Sequence, residues 1–224
     1  MVRSDISGLG AVIFDMDGVL VDSEPLYFEI EKSSFASHGF SLNEVEHHAY
    51  VGIPLRTMWE QLKDRFGLEL SADELLAGHE GQVIKSMADT AELSPIEGVT
   101  ALIGRLREEG IPIALASSSS LALIDTILTK VGLKSDFQVV VSGEQVPRGK
   151  PAPDIFLRAA ELLGVSPAEC LVIEDSHHGV TAAKAAGMTC IGYFNPNSGK
   201  QDLSQADRVI TSYEEIINKG IAIL

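Results

Sequence analysis

The chain has 224 residues, 45% of them hydrophobic and 22% charged, which allows a sizeable core as one large domain or as one domain with a small insert. Seventeen basic against 32 acidic side chains leave a net charge of −15, which argues against nucleic acid or an anionic membrane as partner, because phosphate backbones are held by clustered Lys and Arg. No signal-peptide-like segment opens the sequence and no run approaches membrane-spanning length, so a cytoplasmic protein is expected, with a monomer as the default state.

The apolar run Ala11-Val-Ile-Phe14 predicts a buried strand. Strand signals then vanish until about Gly98 and helices take over. Leu55, Met58, Trp59, Leu62 and Phe66 share one helical face, as do Leu76, His79, Val83 and Met87. Ser41-x-x-Glu44 and Ser71-x-x-Glu74 have the form of capping boxes that open two of these helices. Trp59 and Met58 are expected in the core of this part, and His47 and His48 on its surface.

From Gly98 onward helix and strand signals alternate. Val99, Leu102, Ile103 and Leu106 stripe a helix before the strand Pro112–Ala116; Leu121, Ile124, Leu128 and Val131 stripe the next, before the strand Gln138–Val141. Phe156, Ala159, Ala160 and Leu163 precede the strand Cys170–Ile173, and Val180, Ala183 and Ala186 precede Met188–Tyr193. A short strand at Arg208–Ile210 and a helix from Tyr213 end the series. This is the pattern of an α/β fold whose parallel sheet is covered by helices on both faces. The domains are therefore expected at 1–17 with 91–224, and at 18–90 for a helical insert. Cys170 and Cys190 lie inside strands, as small buried hydrophobes.

Asp15 and Asp17 stand at the end of the first strand, in Asp15-Met-Asp-Gly-Val-Leu-Val-Asp22. Two carboxylates there are costly unless they cap a turn, hold a cation or do chemistry. Three more loops follow strands: Ser117 and Ser118 after Ala116, Lys150 after the strand ending at Val141, and Glu174 with Asp175 after Ile173. In open parallel sheets such loops converge beyond the carboxyl ends of the strands. Acid, hydroxyl, base and acid on one edge suit phosphoryl transfer. Asp15 would attack phosphorus, and Asp175 and the backbone carbonyl of Asp17 would share a Mg²⁺ ion with it. Lys150 and Ser117, with the amides near Leu121, would bind the phosphoryl oxygens. The Asp17 carboxyl is left free to protonate the leaving oxygen and then to take a proton from water.

These motifs resemble those of the haloacid dehalogenase superfamily, in the branch of helical-cap phosphatases and beta-phosphoglucomutase-like enzymes. The matching pieces are Asp15 to Pro25, Ala116-Ser117-Ser118-Ser119, Gly149-Lys150-Pro151 to Phe156, and Ile173-Glu174-Asp175-Ser176-His-His-Gly179, in the family's order. The resemblance implies a Rossmann-like core, an inserted all-helical cap domain and Mg²⁺-dependent transfer through an aspartyl phosphate. It also implies that Glu174 acts on the metal through a bound water.

Within that family an acid two residues after the nucleophile, here Asp17, favours phosphate chemistry over dehalogenation. Mutases of the beta-phosphoglucomutase type usually carry a histidine where this chain has Tyr27, and cap Arg and Lys residues beyond a glycine resembling Gly52. Here that segment reads Gly52-Ile-Pro-Leu-Arg56, an imperfect match. The expected activity is thus a Mg²⁺-dependent phosphatase of a small phosphorylated metabolite such as a sugar phosphate. A phosphosugar mutase is the first alternative and a non-catalytic phosphometabolite-binding protein the second. Arg56 is the candidate cap contact to substrate, since an arginine opening a cap helix could meet an anion.

Overall fold

The computed structural model describes residues 9–43, 45–46, 50, 55–199 and 201–219. In chain order these form β1 (Ala11–Phe14), α1 (Glu24–Ser37), α2 (Leu55–Phe66), α3 (Ala72–Asp89), α4 (Val99–Glu108), β2 (Ile113–Ser117), α5 (Leu121–Lys130), β3 (Val139–Ser142), α6 (Asp154–Leu163), β4 (Cys170–Glu174), α7 (His177–Ala185), β5 (Thr189–Tyr193), β6 (Arg208–Ile210) and α8 (Glu214–Lys219). The chain divides into two compact units, residues 1–24 with 92–224, and residues 25–91.

The first unit is built on a parallel six-stranded sheet in the order β3-β2-β1-β4-β5-β6. Val12 lies opposite Ile113 on one side and Leu171 on the other, so β1 is central. Strand order reverses at β1, which makes the carboxyl ends of β1 and β4 the place where a crevice opens. Alternation sends Ala11, Ile13, Ala114, Ala116, Val172 and Cys190 to one face, against Phe156, Ala159 and Ala160 of α6 and Val180, Ala182 and Ala183 of α7. Small side chains on that face let both helices sit close. Val12, Phe14, Leu115, Leu171, Ile173 and Ile191 alternate to the other face and are equally buried. There Phe14 meets Phe137 edge-on, ring centroids 6.1 Å apart. A sheet buried on both faces explains the near-continuous apolar strands. Cys170 and Cys190 are buried and free.

The second unit is helical. Trp59 is fully buried at its centre, edge-on to Phe35 and to the buried His79, while Phe40 stacks between Phe35 and Phe66. Met58, Leu62 and Leu75 complete the cluster, and Leu55, expected on this face, is exposed instead. On α3 Leu75 and Met87 are fully buried, while Leu76 is only packed against the cluster. Ser71 and Glu74 form the expected reciprocal capping box at the start of α3. Near the other expected box, the reciprocal bonds join Asn43 and Glu46. Glu44, His47, His48 and Gly52 lie outside the described residues.

The division after residue 24 corrects the boundary expected at 17/18. Val19, Leu20 and Val21 are completely buried. Leu20 accepts a bond from the Ile96 amide, and Val19 one from the Tyr213 hydroxyl at 2.8 Å. These contacts tie the segment after the Asp15–Gly18 turn to the sheet unit, and no apolar pattern on so short a piece could show it. Among the described residues no helix is long and apolar enough to cross a membrane.

Truncating Trp59 would leave a large cavity in the smaller core. Trp59→Ala is expected to lower stability by about 3–5 kcal/mol, measured as the unfolding free energy from urea titration followed by far-UV circular dichroism.

Candidate active site

The carboxyl ends of β1 and β4 and the loop after β3 bring four of the expected residues together, Asp15, Lys150, Glu174 and Asp175. Lys150 is the centre. Its Nζ donates to Asp15 Oδ1 at 2.6 Å, to Glu174 Oε1 at 2.6 Å and to the Ala116 carbonyl at 3.1 Å, and it lies 5.0 Å from the centroid of the Phe156 ring. The peptide bond from Lys150 to Pro151 is cis. Asp15, Glu174 and Asp175 are all buried, with a carboxylate oxygen from each within 4.8 Å of the others.

Three buried carboxylates against one ammonium leave an excess of negative charge, and the local electrostatics follow from it. Burial pushes the Asp15 carboxyl well above its ordinary range; Lys150 opposes this, and Glu174 and Asp175 add to it. Asp175 is pushed up to about 7, by burial first and by the Glu174 charge second. Burial works against the Lys150 ammonium, but the Asp15 and Glu174 carboxylates outweigh it and hold it above the usual lysine range. A site made only of carboxylate oxygens, short of positive charge, fits a hard divalent cation.

The two oxygens of Glu174 are used differently. Oε1 takes Lys150, and Oε2 accepts the amides of Asp175 and Ser176 and the Ser176 hydroxyl, each at 3.0 Å. The carboxylate therefore lies flat on the first turn of α7. A Cβ at Gly179 would stand 1.7 Å from Glu174 Oε1, so only glycine admits this packing. Gly18, at φ +76°, does the same for Asp175, whose Oδ2 would lie 2.0 Å from a Cβ there.

Asp17 lies outside the three-carboxylate group. Its Oδ1 accepts from Ser23 Oγ at 2.5 Å and its Oδ2 from Ser119 Oγ at 3.1 Å. Ser117 is buried with its oxygen accepting the Ser119 amide at 3.1 Å, while Ser118 is exposed. The amide of Leu121, expected to face an anion, already donates to Glu144 Oε2 at 2.9 Å, which corrects that expectation: an acidic side chain from the loop after β3 takes the first amide of α5. Arg56 belongs to the helical unit and pairs with Asp73 at 2.5 Å, both exposed. Arg148 pairs with Asp154 on the surface, and His177 and His178 open α7 exposed. Asp22 accepts from Asn195 and Asn197.

Sequence reasoning did not single out Ser23, Ser119, Glu144 or Gly179. Ser119 and Gly179 sat inside motifs that were read, but their partners are set by packing. Ser23 sat in the same way inside the Asp15–Pro25 motif, and nothing in the local sequence marks Glu144.

Residues 12–193 match the family described as haloacid dehalogenase-like hydrolase. Hexitol phosphatase B of Escherichia coli is 35% identical over 216 residues, covering 94% of this chain and 96% of that protein. Beta-phosphoglucomutase of Bacillus subtilis is 34% identical over 189 residues, 81% of this chain and 82% of the relative. Among solved structures, an HAD family hydrolase from Deinococcus radiodurans with bound phosphate and sodium superposes with a TM-score of 0.74 at 31% identity, covering 97% of this chain and 98% of that one.

The raised Asp15 and Asp175 carboxyls set a pH dependence of stability. An unfolded Asp titrates near ~3.9, so between about pH 4 and about pH 7 the folded chain binds the extra protons and loses stability as pH rises. His79, lowered by burial, contributes the opposite slope, so the test compares wild type with Asp175→Asn. In EDTA the variant is expected to melt higher than wild type at about pH 8, with the gap closing at about pH 5. Added Mg²⁺ should raise the Tm of wild type and not that of the variant.

Proposed function

Because the chain belongs to the haloacid dehalogenase-like hydrolases, we propose that it is a Mg²⁺-dependent phosphatase releasing phosphate from a small phosphorylated carbohydrate through an aspartyl phosphate on Asp15. That it is a phosphoric monoester hydrolase rests on its phosphatase relatives across nearly the whole chain. The observation that carries the finer reading is the Lys150 ammonium, 2.6 Å from the Asp15 carboxylate inside a buried acidic group. A nucleophilic carboxylate repels a phosphate dianion, and a fixed, desolvated cation beside it reduces that repulsion.

Asp15 attacks phosphorus as the bond to the leaving oxygen breaks, and the Asp17 carboxyl supplies that oxygen with a proton. Asp17 then takes a proton from the water that attacks the aspartyl phosphate, which frees inorganic phosphate and restores Asp15. Lys150 stays against the nucleophile throughout, and Ser117, with Ser118 beside it, is the hydroxyl side of the phosphate site. Mg²⁺ would be held by Asp15, Asp175 and the Asp17 carbonyl, with Glu174 acting through a water, and when bound would neutralise the phosphoryl oxygens. In this reading Glu174 also anchors Lys150, because its Oε1 is already bonded to the ammonium. Arg56 is kept as the candidate contact from the helical unit to the rest of the substrate.

Hexitol phosphatase B supports the carbohydrate class, and beta-phosphoglucomutase favours a second reading as a phosphosugar mutase. A phosphate-release screen over sugar and hexitol phosphates, nucleotides, phosphoglycolate and pyrophosphate is expected to give turnover on the carbohydrate esters. EDTA and Asp15→Asn should each reduce that turnover to background. A hexose 1-phosphate with traces of bisphosphate should release phosphate; conversion to the 6-phosphate without release would establish the mutase instead.

A further inference from the structure

The Asp17 carboxylate is gripped at both oxygens by hydroxyls from different parts of the sheet unit. Ser23, fully buried just before α1, donates to Oδ1, and Ser119, half-buried between β2 and α5, donates to Oδ2. A contact at one oxygen leaves a carboxylate free to swing about its side-chain bonds; contacts at both fix its plane.

Ser119 is itself held at every polar group. Its amide donates to Ser117 Oγ at 3.1 Å, its carbonyl accepts from Ser142 Oγ at 2.6 Å, and its hydroxyl is on Asp17. Ser142 is completely buried at the end of β3, so the support runs from the sheet through Ser142 and Ser119 to Asp17. The chemistry of the contact also suits its place. A hydroxyl donates to an ionised carboxylate and, by rotating its proton, accepts from a protonated one. A residue that gives up a proton and recovers it in each turnover needs a partner that serves both states, which an ammonium group does not.

We propose that Ser119, together with Ser23, is a positioning residue that holds the Asp17 carboxyl in the plane from which it protonates the leaving oxygen; this rests on the reading of Asp17 as that proton donor. The consequence is a dependence on the leaving group. 4-Nitrophenyl phosphate departs as a stable anion and needs little proton transfer, whereas phenyl phosphate needs it more.

The test is the ratio of kcat/KM for phenyl phosphate to that for 4-nitrophenyl phosphate, measured with Mg²⁺ on the full chain. Taken on one sample, this ratio is independent of the fraction of enzyme that is correctly folded. Asp17→Asn is expected to lower it about 100-fold, Ser119→Ala about tenfold, and Ser119→Thr, which restores the hydroxyl, to return it to within about twofold of wild type. Ser23→Ala should fall with Ser119→Ala. An unchanged ratio in both alanine variants, with Asp17→Asn still lowering it, overturns the positioning role alone. An unchanged ratio in Asp17→Asn overturns the proton-donor reading of Asp17 and the proposal with it.

Discussion

One ammonium group organises this molecule's polar interior. Lys150 sits between Asp15 and Glu174, and each contact has a structural precondition. Asp15 is presented by the end of the central strand, Glu174 by the neighbouring strand, and the Ala116 carbonyl by the strand on the other side. A buried ion pair of this kind stabilises little by itself, because desolvating the charges costs about as much as their attraction returns. Its value is in specificity. Removing the lysine would leave the buried Asp15 and Glu174 carboxyls without the cation that offsets their charge.

The surface and the site are opposed in charge balance. A net charge of −15 gives a phosphorylated substrate no long-range attraction, so recognition has to be local. In the proposed reading the sheet unit's local resources are Lys150, the hydroxyls around Ser117 and a divalent cation that the carboxylate group would suit. The amide at the start of α5 is not among them, since Glu144 has taken it.

Much of this was legible in the sequence for a physical reason. Parallel strands buried on both faces must be continuous apolar runs, so Ala11–Phe14 and Cys170–Ile173 announced themselves, and the chemistry-bearing residues followed directly after such runs. What stayed hidden depends on rotamer and packing. Ser119 is one of four consecutive serines, and only the fold distinguishes the one that reaches Asp17 from the exposed Ser118. The domain boundary was misplaced because Val19–Val21 is too short to show a period, and its burial against Ile96 and Tyr213 is tertiary. Leu75 and Leu76 differ by one helical step, which a periodicity count does not separate.

The order of strands has a consequence for how the chain acquires its site. β1 joins β2 about a hundred residues downstream and β4 about a hundred and sixty, so the central pairings close very long loops. Asp15, Lys150 and Asp175 meet only when those pairings are complete. An early, locally formed intermediate holding only helices would carry the acids dispersed and hydrated, with no assembled place for cation or phosphate. Ligands of the finished site therefore act on the last stage of folding: they slow the opening of the sheet while leaving its rate of closure to topology alone.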